Sequence, residues 1–279
     1  MTPQLSIVAI LLGIIEGLTE FIPISSTGHL IIAENLFKFE QLMGDPDKAE
    51  LFTVVIQLGA ILAVGWYFRK RLQNALFAKI SDISQTNAGR LRTHIVVAFM
   101  PAAIVGFLFH KQLKLLLTPI PVACALIVGG IVIIIVEAYS KRANRTTTID
   151  TMTMKDALIV GFSQILSLFP GTSRSASTII PGMMGGMTRP AATEFSFLLS
   201  FPIMTAASLF EMFHYRHLLH SDMFAVIGIG FVIAFVVALL IVGWLVRFVQ
   251  RHTFLGFGVY RVILGALILI LYSSTTFFK

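Results

Sequence analysis

Charged residues are scarce in this chain of 279 residues. Asp, Glu, Lys and Arg make up 13% of it, whereas soluble domains contain about 25%. Hydrophobic residues account for 56%, and the mean hydropathy is +0.87. Several windows approach or exceed the roughly 20 apolar residues that cross a bilayer core. The composition therefore excludes an ordinary soluble domain and predicts a polytopic membrane protein.

Cysteine and early basic residues are also scarce. The single cysteine, Cys124, lies in an apolar run, which excludes an internal disulfide and a thiolate metal site. No Lys or Arg precedes Lys38, so the N-terminus does not resemble a cleavable signal. In such a chain the net charge of +7 indicates basic residues facing anionic membrane lipid, and no nucleic-acid partner is predicted.

Six apolar segments predict membrane-spanning helices, at about 51–68, 93–113, 119–139, 194–213, 223–246 and 255–273. Two further apolar segments, about 5–38 and 155–187, are interrupted by "FIPISSTGH" (residues 21–29, the first break) and "LFPGTSRSAST" (residues 168–178, the second break). Irregular backbone at membrane depth is tolerated only where protein or a water-filled cavity surrounds it. We therefore predict an all-α fold of six transmembrane helices and two re-entrant helix hairpins.

The two halves of the chain have the same order of segments, a broken hairpin followed by three spans. Setting Pro23 against Pro170 places Ser26 on Ser173, and "GIIEGLTEF" falls near "GFSQILSLF". A hairpin returns to its own side and three spans do not, so the second half should be inverted relative to the first. The prediction is a single integral-membrane domain, 1–279, with repeat 1 at about 1–140 and repeat 2 at about 150–279.

The distribution of basic residues predicts the orientation. This topology puts 13 Lys and Arg on one side, including Lys79, Lys141 and Arg142, and 6 on the other, including Lys279. The richer side is expected to be cytoplasmic. The first hairpin then enters from outside and the second from the cytoplasm, so that the two breaks meet near the midplane.

Two acids precede the first break. Glu16 and Glu20 are four residues apart, so on a helix they share one face with about 6 Å of rise between them. Unpaired carboxylates at membrane depth would repel each other, and a divalent cation or a nearby Arg would resolve that conflict. Their oxygens suit Mg²⁺ or Ca²⁺. Alternatively, both acids line a wet vestibule or pair with basic residues.

Hydroxyl residues fill the first break. Ser25, Ser26 and Thr27 precede a new helical leg, where such residues are often only caps. His29 lies three positions beyond Ser26, close enough to take the hydroxyl proton in a nucleophile-and-base arrangement. The same motif permits His29 as the nucleophile with Ser26 in support.

The second break carries donors suited to an anion. Gly171 permits a tight turn, and Ser173, Ser175 and Thr178 supply hydroxyls beside the start of a helix. Free amides at a helix N-terminus bind anions, and the Arg174 guanidinium suits phosphate oxygens. An internal salt bridge from Arg174 to the acids of the first break is the alternative. Together the two breaks predict a phosphoryl-transfer site.

Other intramembrane polar residues give weaker evidence of function. Gln57 could line the cavity, but helix-packing hydrogen bonds explain it equally well. Glu137 and Arg261 are predicted to be structural.

The motifs "EGLTEFIPISSTGH" and "PGTSRSAST", followed by "EFSFLLSFP", resemble those of the undecaprenyl-diphosphate phosphatase family, also called the bacitracin-resistance family. The similarity covers nearly the whole chain, with Ala176 where the family usually has Gly. It implies hydrolysis of undecaprenyl diphosphate to undecaprenyl phosphate and inorganic phosphate, which recycles the carrier lipid for peptidoglycan synthesis and confers bacitracin resistance. It also implies a divalent cation, a homodimer, and a site open to the outer (periplasmic) face of the bacterial cytoplasmic membrane.

The resemblance also carries over individual residues. It implies active-site positions at Glu16, Glu20, Ser26, His29 and Arg174, with the two acids as metal ligands, and substrate contacts at Ser173 and Thr178. From their places in the two breaks, Ser25, Thr27 and Ser175 are further predicted substrate contacts.

Two rival functions follow from the same sequence. Inverted repeats and broken helices also build secondary carriers, so the chain could be a polyprenyl-phosphate flippase or transporter. The Ser26–His29 pair favours hydrolysis, because a carrier needs no nucleophile. A structural or assembly subunit would leave the clustered intramembrane charges unexplained.

Overall fold

The computed structural model describes residues 2–78, 86–139, 145–219 and 221–273, and no β-strand occurs in these ranges. The helices are α1 Pro3–Thr19, α2 Ser26–Leu36, α3 Phe39–Met43, α4 Pro46–Tyr67, α5 Arg69–Phe77, α6 Asn87–Lys114, α7 Pro119–Tyr139, α8 Met154–Ser163, α9 Arg174–Met184, α10 Arg189–His214, α11 Ser221–Phe248 and α12 Leu255–Ser273. Single 3₁₀ turns cover Ile149–Thr151, Gln164–Leu168 and Arg216–Leu218.

Six of these helices are long and apolar enough to cross a membrane: α4, α6, α7, α10, α11 and α12. They coincide with the six predicted spans, so the protein is a multi-pass all-α membrane protein. Three of them, α4, α6 and α10, begin five or six residues earlier than predicted. The side chains of Asp45, Thr86 and Thr188 accept hydrogen bonds from first-turn amides and fix those earlier starts.

The two broken segments form shorter helices on either side of each break. The first is α1 and α2, and the second is α8, the turn Gln164–Leu168 and α9. α1 packs on α11 through two glycines: a Cβ on Gly13 would lie 2.7 Å from the Gly230 oxygen, and one on Gly17 would lie 2.8 Å from the Ala234 oxygen. Such close contact fixes the depth of α1 against its neighbour. That these segments re-enter the membrane as hairpins of an inverted repeat stays a prediction.

The long helices pack in pairs around the broken segments. α7 lies against α12, and α4 lies against both α11 and α10. α8 packs on α6, and α9 packs on α10 and α8. The two breaks therefore lie in the interior of the bundle, where the buried polar side chains Glu16, Glu20, Ser26 and Ser175 are found.

One end of the bundle, hereafter the basic end, carries Arg69, Lys70, Arg71, Arg90, Arg247 and Arg251. Ion pairs join separate segments there: Arg145, which precedes the turn at Ile149–Thr151, pairs with Asp156 of α8 at 2.6 Å, and Arg189 of α10 pairs with Glu137 of α7 at 2.8 Å. The counted basic residues Lys79, Lys141, Arg142 and Lys279 lie outside the described ranges. At the opposite end, Lys114 contacts carboxylates on α4 and α10.

Candidate active site

Each break ends in a serine with a left-handed backbone. Ser25 has a φ of 71° and immediately precedes α2, and Ser173 has a φ of 69° and immediately precedes α9. Positive φ is uncommon outside glycine, and such strain persists only where surrounding contacts enforce it. The matching backbones pair Ser25 with Ser173. The motif alignment of Ser26 on Ser173 is therefore wrong by one residue, because it aligned prolines that occupy different positions in the two turns.

A buried triad joins the two breaks. Ser26 Oγ donates a hydrogen bond to Glu20 Oε2 at 2.7 Å, and Arg174 Nη2 donates to Glu20 Oε1 at 3.1 Å. All three side chains are largely shielded from solvent. The structure thus brings together residues separated by 154 positions, and the alternative of an ion pair between Arg174 and an acid before the first break is realised at Glu20.

His29 lies on α2 but faces away from Ser26. A carbonyl oxygen can only accept, so the 2.8 Å contact with the Ser25 oxygen makes Nδ1 the donor. In the neutral ring Nε2 then accepts from the Tyr260 hydroxyl, at 2.7 Å. The predicted His29–Ser26 contact is not formed among the described residues. Both ring nitrogens have other partners, and the serine proton is directed at Glu20 instead.

Glu16 is fully buried on α1, one turn before Glu20, and neither of its oxygens has a hydrogen-bond partner in the described structure. The Nε and Nη1 groups of Arg174 are likewise unpartnered. Leaving such groups unpaired away from water is costly. A cation beside Glu16 and a phosphate oxygen beside Arg174 would satisfy them, so these residues fit both groups. Within the described ranges, no third His, Cys, Asp or Glu joins these acids.

The hydroxyls of the second break differ in their partners: Ser173 caps α9, whereas Ser175 and Thr178 bond to other segments of the protein. Ser173 Oγ accepts from the Ala176 amide at 3.3 Å, and Ser175 Oγ reaches across to the Ile22 oxygen of the first break at 3.3 Å. Thr178 Oγ1 lies 2.6 Å from Ser196 Oγ on α10. Ser175 and Thr178 are fully buried. These two predicted substrate contacts therefore bind protein groups in this structure.

A cavity of about 190 Å³ lies beside the contact between the two breaks and is lined by both of them. The predicted residues that line it are Glu20, Ser25, Ser26, Thr27, Ser173 and Arg174. Its remaining wall comes from α4 and α10, through Gln57, Ile203, Met204 and Ala207. The cavity is therefore polar at the breaks and largely apolar along α10, which suits a polar group attached to a lipid.

Comparison with known proteins decides the family. A family model described as "Bacitracin resistance protein BacA" matches residues 9–267. The chain belongs to the BacA family. Similar curated proteins include "Undecaprenyl-diphosphatase 2" of Rhodospirillum rubrum, at 46% identity over 94% of this chain and 93% of that protein. The "Undecaprenyl-diphosphatase" proteins of Nitrosomonas europaea and Nitrosospira multiformis are 46% and 47% identical, each over 94% of this chain and 93% of the relative.

The resemblance drawn from the two motifs is thereby confirmed, and the transporter alternative gains no support from the family or from the relatives' names. Sequence reasoning missed Tyr260, which stacks on His29 with ring centroids 5.6 Å apart. No local pattern could have paired it with a BacA motif 231 residues earlier. Its position next to Arg261, a charged residue inside a span, was the available signal.

Proposed function

We propose that this BacA-family protein hydrolyses undecaprenyl diphosphate to undecaprenyl phosphate and inorganic phosphate, and so supports carrier-lipid recycling and bacitracin resistance. One observation carries the proposal: a buried serine hydroxyl donates to a carboxylate that also pairs with an arginine possessing unused donors. A nucleophile, its proton acceptor and an anion-binding group are thus adjacent. The names of the relatives, which share about 46% of the sequence, support the same activity.

In this proposal the diphosphate occupies the cavity between the breaks. Arg174 binds its phosphate oxygens through Nε and Nη1. The first amides of α9 assist, apart from that of Ala176, which donates to Ser173 Oγ, because they have no partner within the helix. The isoprenyl tail leaves along the apolar wall formed by Ile203, Met204 and Ala207. These residues lie in the half of α10 remote from the basic end, which supports access from the outer face.

Ser26 Oγ attacks the terminal phosphorus, and Glu20 Oε2 takes its proton. The new Ser26–phosphorus bond forms as the bond to the bridging oxygen breaks, which releases undecaprenyl phosphate. Water then attacks the phosphoserine, and inorganic phosphate leaves. The 2.7 Å contact favours Glu20 over His29 as the first proton acceptor. His29 orients the start of α2 through the Ser25 carbonyl. A phosphoenzyme trapped on His29 would contradict this assignment.

Glu16 and Glu20 would hold a divalent cation, Mg²⁺ or Ca²⁺, with Glu16 supplying the uncommitted oxygens. When bound, such an ion neutralises phosphate charge and polarises the phosphoryl group.

The basic end is proposed to face the cytoplasm of a bacterium, with the cavity open to the periplasmic face of the cytoplasmic membrane. The family resemblance further suggests a homodimer. Packing of α1 on α11 and of α8 on α6 supports the inverted repeat, because each broken segment then leans on a span from the other half.

The test is phosphate release from undecaprenyl diphosphate by purified protein in detergent, with Mg²⁺ or Ca²⁺ and with EDTA. Detergent abolishes the two compartments, so transport contributes nothing. We expect metal-dependent release that Ser26→Ala abolishes. Ser163→Ala is the matched control, since among the described residues the Ser163 hydroxyl bonds only to the Val160 carbonyl in its own helix. No release from folded wild-type protein would refute the phosphatase.

A further inference from the structure

Arg261, in the middle of a membrane span, is fully buried, and among the described residues no carboxylate pairs with it. A guanidinium has five N–H donors, and here all five are given to main-chain oxygens. The acceptors are Ala125 at 3.1 Å, Leu126 at 3.4 Å, Pro23 at 3.2 Å, Gly171 at 3.1 Å and Thr172 at 2.9 Å. Three of these five oxygens belong to the two breaks.

This arrangement is expensive if its only purpose is to hold α12 against α7. A buried charge without a counter-ion carries a large desolvation penalty, and apolar side chains join helices without it. Room is made for the guanidinium at Gly129 of α7, where any Cβ would collide with it. The contacts of Arg261 with the two breaks therefore explain both the buried charge and the glycine that makes room for it.

The bonds to the breaks are matched. Pro23 precedes Ser25 by two residues, and Gly171 precedes Ser173 by two residues, so Arg261 holds equivalent carbonyls of the two left-handed turns. A single planar group thereby fixes the separation and relative rotation of two segments that are far apart in sequence.

The bond to Thr172 also orients a donor. In a trans peptide the C=O and the following N–H point in opposite directions. Because the Thr172 oxygen faces Arg261, the Ser173 amide points away from it. Ser173 and Arg174 line the cavity. Fixing this peptide therefore fixes the approach to the first amides of α9.

We propose that Arg261 is a positioning residue of the phosphoryl-transfer site. It locks the main chain of the two breaks together so that Ser26, on one, faces Arg174, on the other. The expected effect on kcat rests on the proposed function. The expected effect on anion binding does not depend on it.

The first test compares Arg261→Gln and Arg261→Lys with wild type, using kcat and KM per folded protein in detergent. Lys keeps the charge but cannot reach five carbonyls. We expect both variants to lose about 100-fold in kcat, because small displacements of reacting groups have effects of that size. Arg189→Gln is the control: it removes an arginine that forms a partly buried ion pair with Glu137, away from the breaks. Its kcat per folded molecule should stay within about twofold of wild type.

A second test does not depend on turnover. Methylenediphosphonate is a non-hydrolysable diphosphate, and in the presence of Mg²⁺ it should raise the melting temperature of the protein by binding the folded state. We expect a shift in wild type and Arg189→Gln that both Arg261 variants lose. Wild-type kcat and an unchanged shift in folded Arg261→Gln would overturn the proposal. So would full recovery in Arg261→Lys, because charge alone would then suffice. If methylenediphosphonate shifts the melting temperature of wild type but no turnover is measured, the phosphatase activity is refuted. The role of Arg261 in anion binding is then still tested by the loss of that shift in its variants.

Two alanine substitutions cover the case in which Arg261→Gln does not fold. Gly129→Ala pushes on the guanidinium, whereas Gly258→Ala, in the same α7–α12 contact, meets Ile134 Cγ1 at 2.9 Å and the Gly130 oxygen at 3.0 Å. Both should lower the melting temperature. Only Gly129→Ala should lower kcat and the methylenediphosphonate shift, and equal effects of the two substitutions would contradict positioning by Arg261.

Discussion

The two breaks share a backbone and differ in chemistry. In each, a left-handed serine precedes a helix, and the first helical residue is Ser26 in one and Arg174 in the other. Nine residues before that serine stands Glu16 in the first segment and Gln164 in the second, and both are fully buried without hydrogen-bond partners among the described residues. Five residues before it, Glu20 corresponds to Leu168.

The comparison shows that the same backbone turn can present different side chains in the two breaks. The first segment contributes the Glu20 carboxylate and the Ser26 hydroxyl to the cavity lining, and the second contributes the Arg174 guanidinium, so the cavity has an acidic wall and a basic wall. A diphosphate with its cation is complementary to that division. The backbone supplies the position, and each charged side chain in one segment corresponds to an uncharged side chain in the other: Glu16 to Gln164, Glu20 to Leu168 and Arg174 to Ser26.

The largest effect is expected where the two walls touch. Glu20→Gln and Arg174→Ala should each lower phosphate release by about 1,000-fold or more while the protein elutes and melts as a folded species. Each removes a group that contacts the other wall and that, in the proposed function, acts on the substrate. Full activity in either variant would remove that residue from the site.

A double variant sharpens this prediction. Glu20→Gln with Arg174→Ala removes both charges, so its melting temperature should exceed that of either single variant, in which one buried charge loses its partner. Its turnover should stay as low as theirs. Recovery of activity together with stability would mean that the ion pair serves folding alone.

Glu16→Gln gives the first segment the side chain of the second. Turnover should fall by about 100-fold and lose its response to Mg²⁺ and EDTA, since a hard oxygen ligand is lost. In EDTA the variant should melt above wild type, because a buried unpaired carboxylate becomes neutral. The matched change, Gln164→Leu, should leave turnover within about twofold. A metal response that survives Glu16→Gln would exclude Glu16 as a ligand.

Tyr260→Phe tests the support of the first break by α12. It removes the hydroxyl that contacts His29 Nε2, worth about 1 kcal/mol, so kcat should fall by about fivefold. Tyr67→Phe, at the end of α4, is the control and should change nothing. A loss of 100-fold in Tyr260→Phe would instead assign His29 a direct chemical role.

The smallest effect on turnover is expected from Asp156→Asn, at the start of the second broken segment. Burial raises the pKa of Asp156, but hydrogen bonds from Arg145, Thr153 and Thr146 outweigh it and hold the pKa below its usual range. The carboxylate thus stabilises the fold above its unfolded pKa, and this contribution disappears as the pH falls through the lowered value. Asp156→Asn should lose about 1–2 kcal/mol at neutral pH, and its melting curve should approach that of wild type in acid.

Much of the architecture was predictable because apolar length and interruption are local signals. Six spans and two breaks follow from composition alone, and Glu16 and Glu20 share a helix face because they are four apart. Helix starts were missed at Asp45, Thr86 and Thr188, where polar caps extend helices beyond the apolar run.

The details of the site depended on contacts that no local spacing encodes. His29 was expected to reach Ser26, three residues away, but its ring is held by the Ser25 carbonyl and by Tyr260 from the last helix. Arg261 was predicted to be a structural residue. Its hydrogen bonds to the two breaks could not be predicted, because they depend on the packing of α12 against α7.

The separation of 154 positions between Glu20 and Arg174 also sets an order of events during synthesis. At about 5–20 residues per second, Arg174 is made roughly 8–30 s after the first acids. Until then Glu16 and Glu20 have no arginine to face, and unpaired acids are unfavourable within a bilayer. The amino-terminal helix is therefore expected to reach its final depth only after the second half has been inserted, so the part of the chain made first becomes native last.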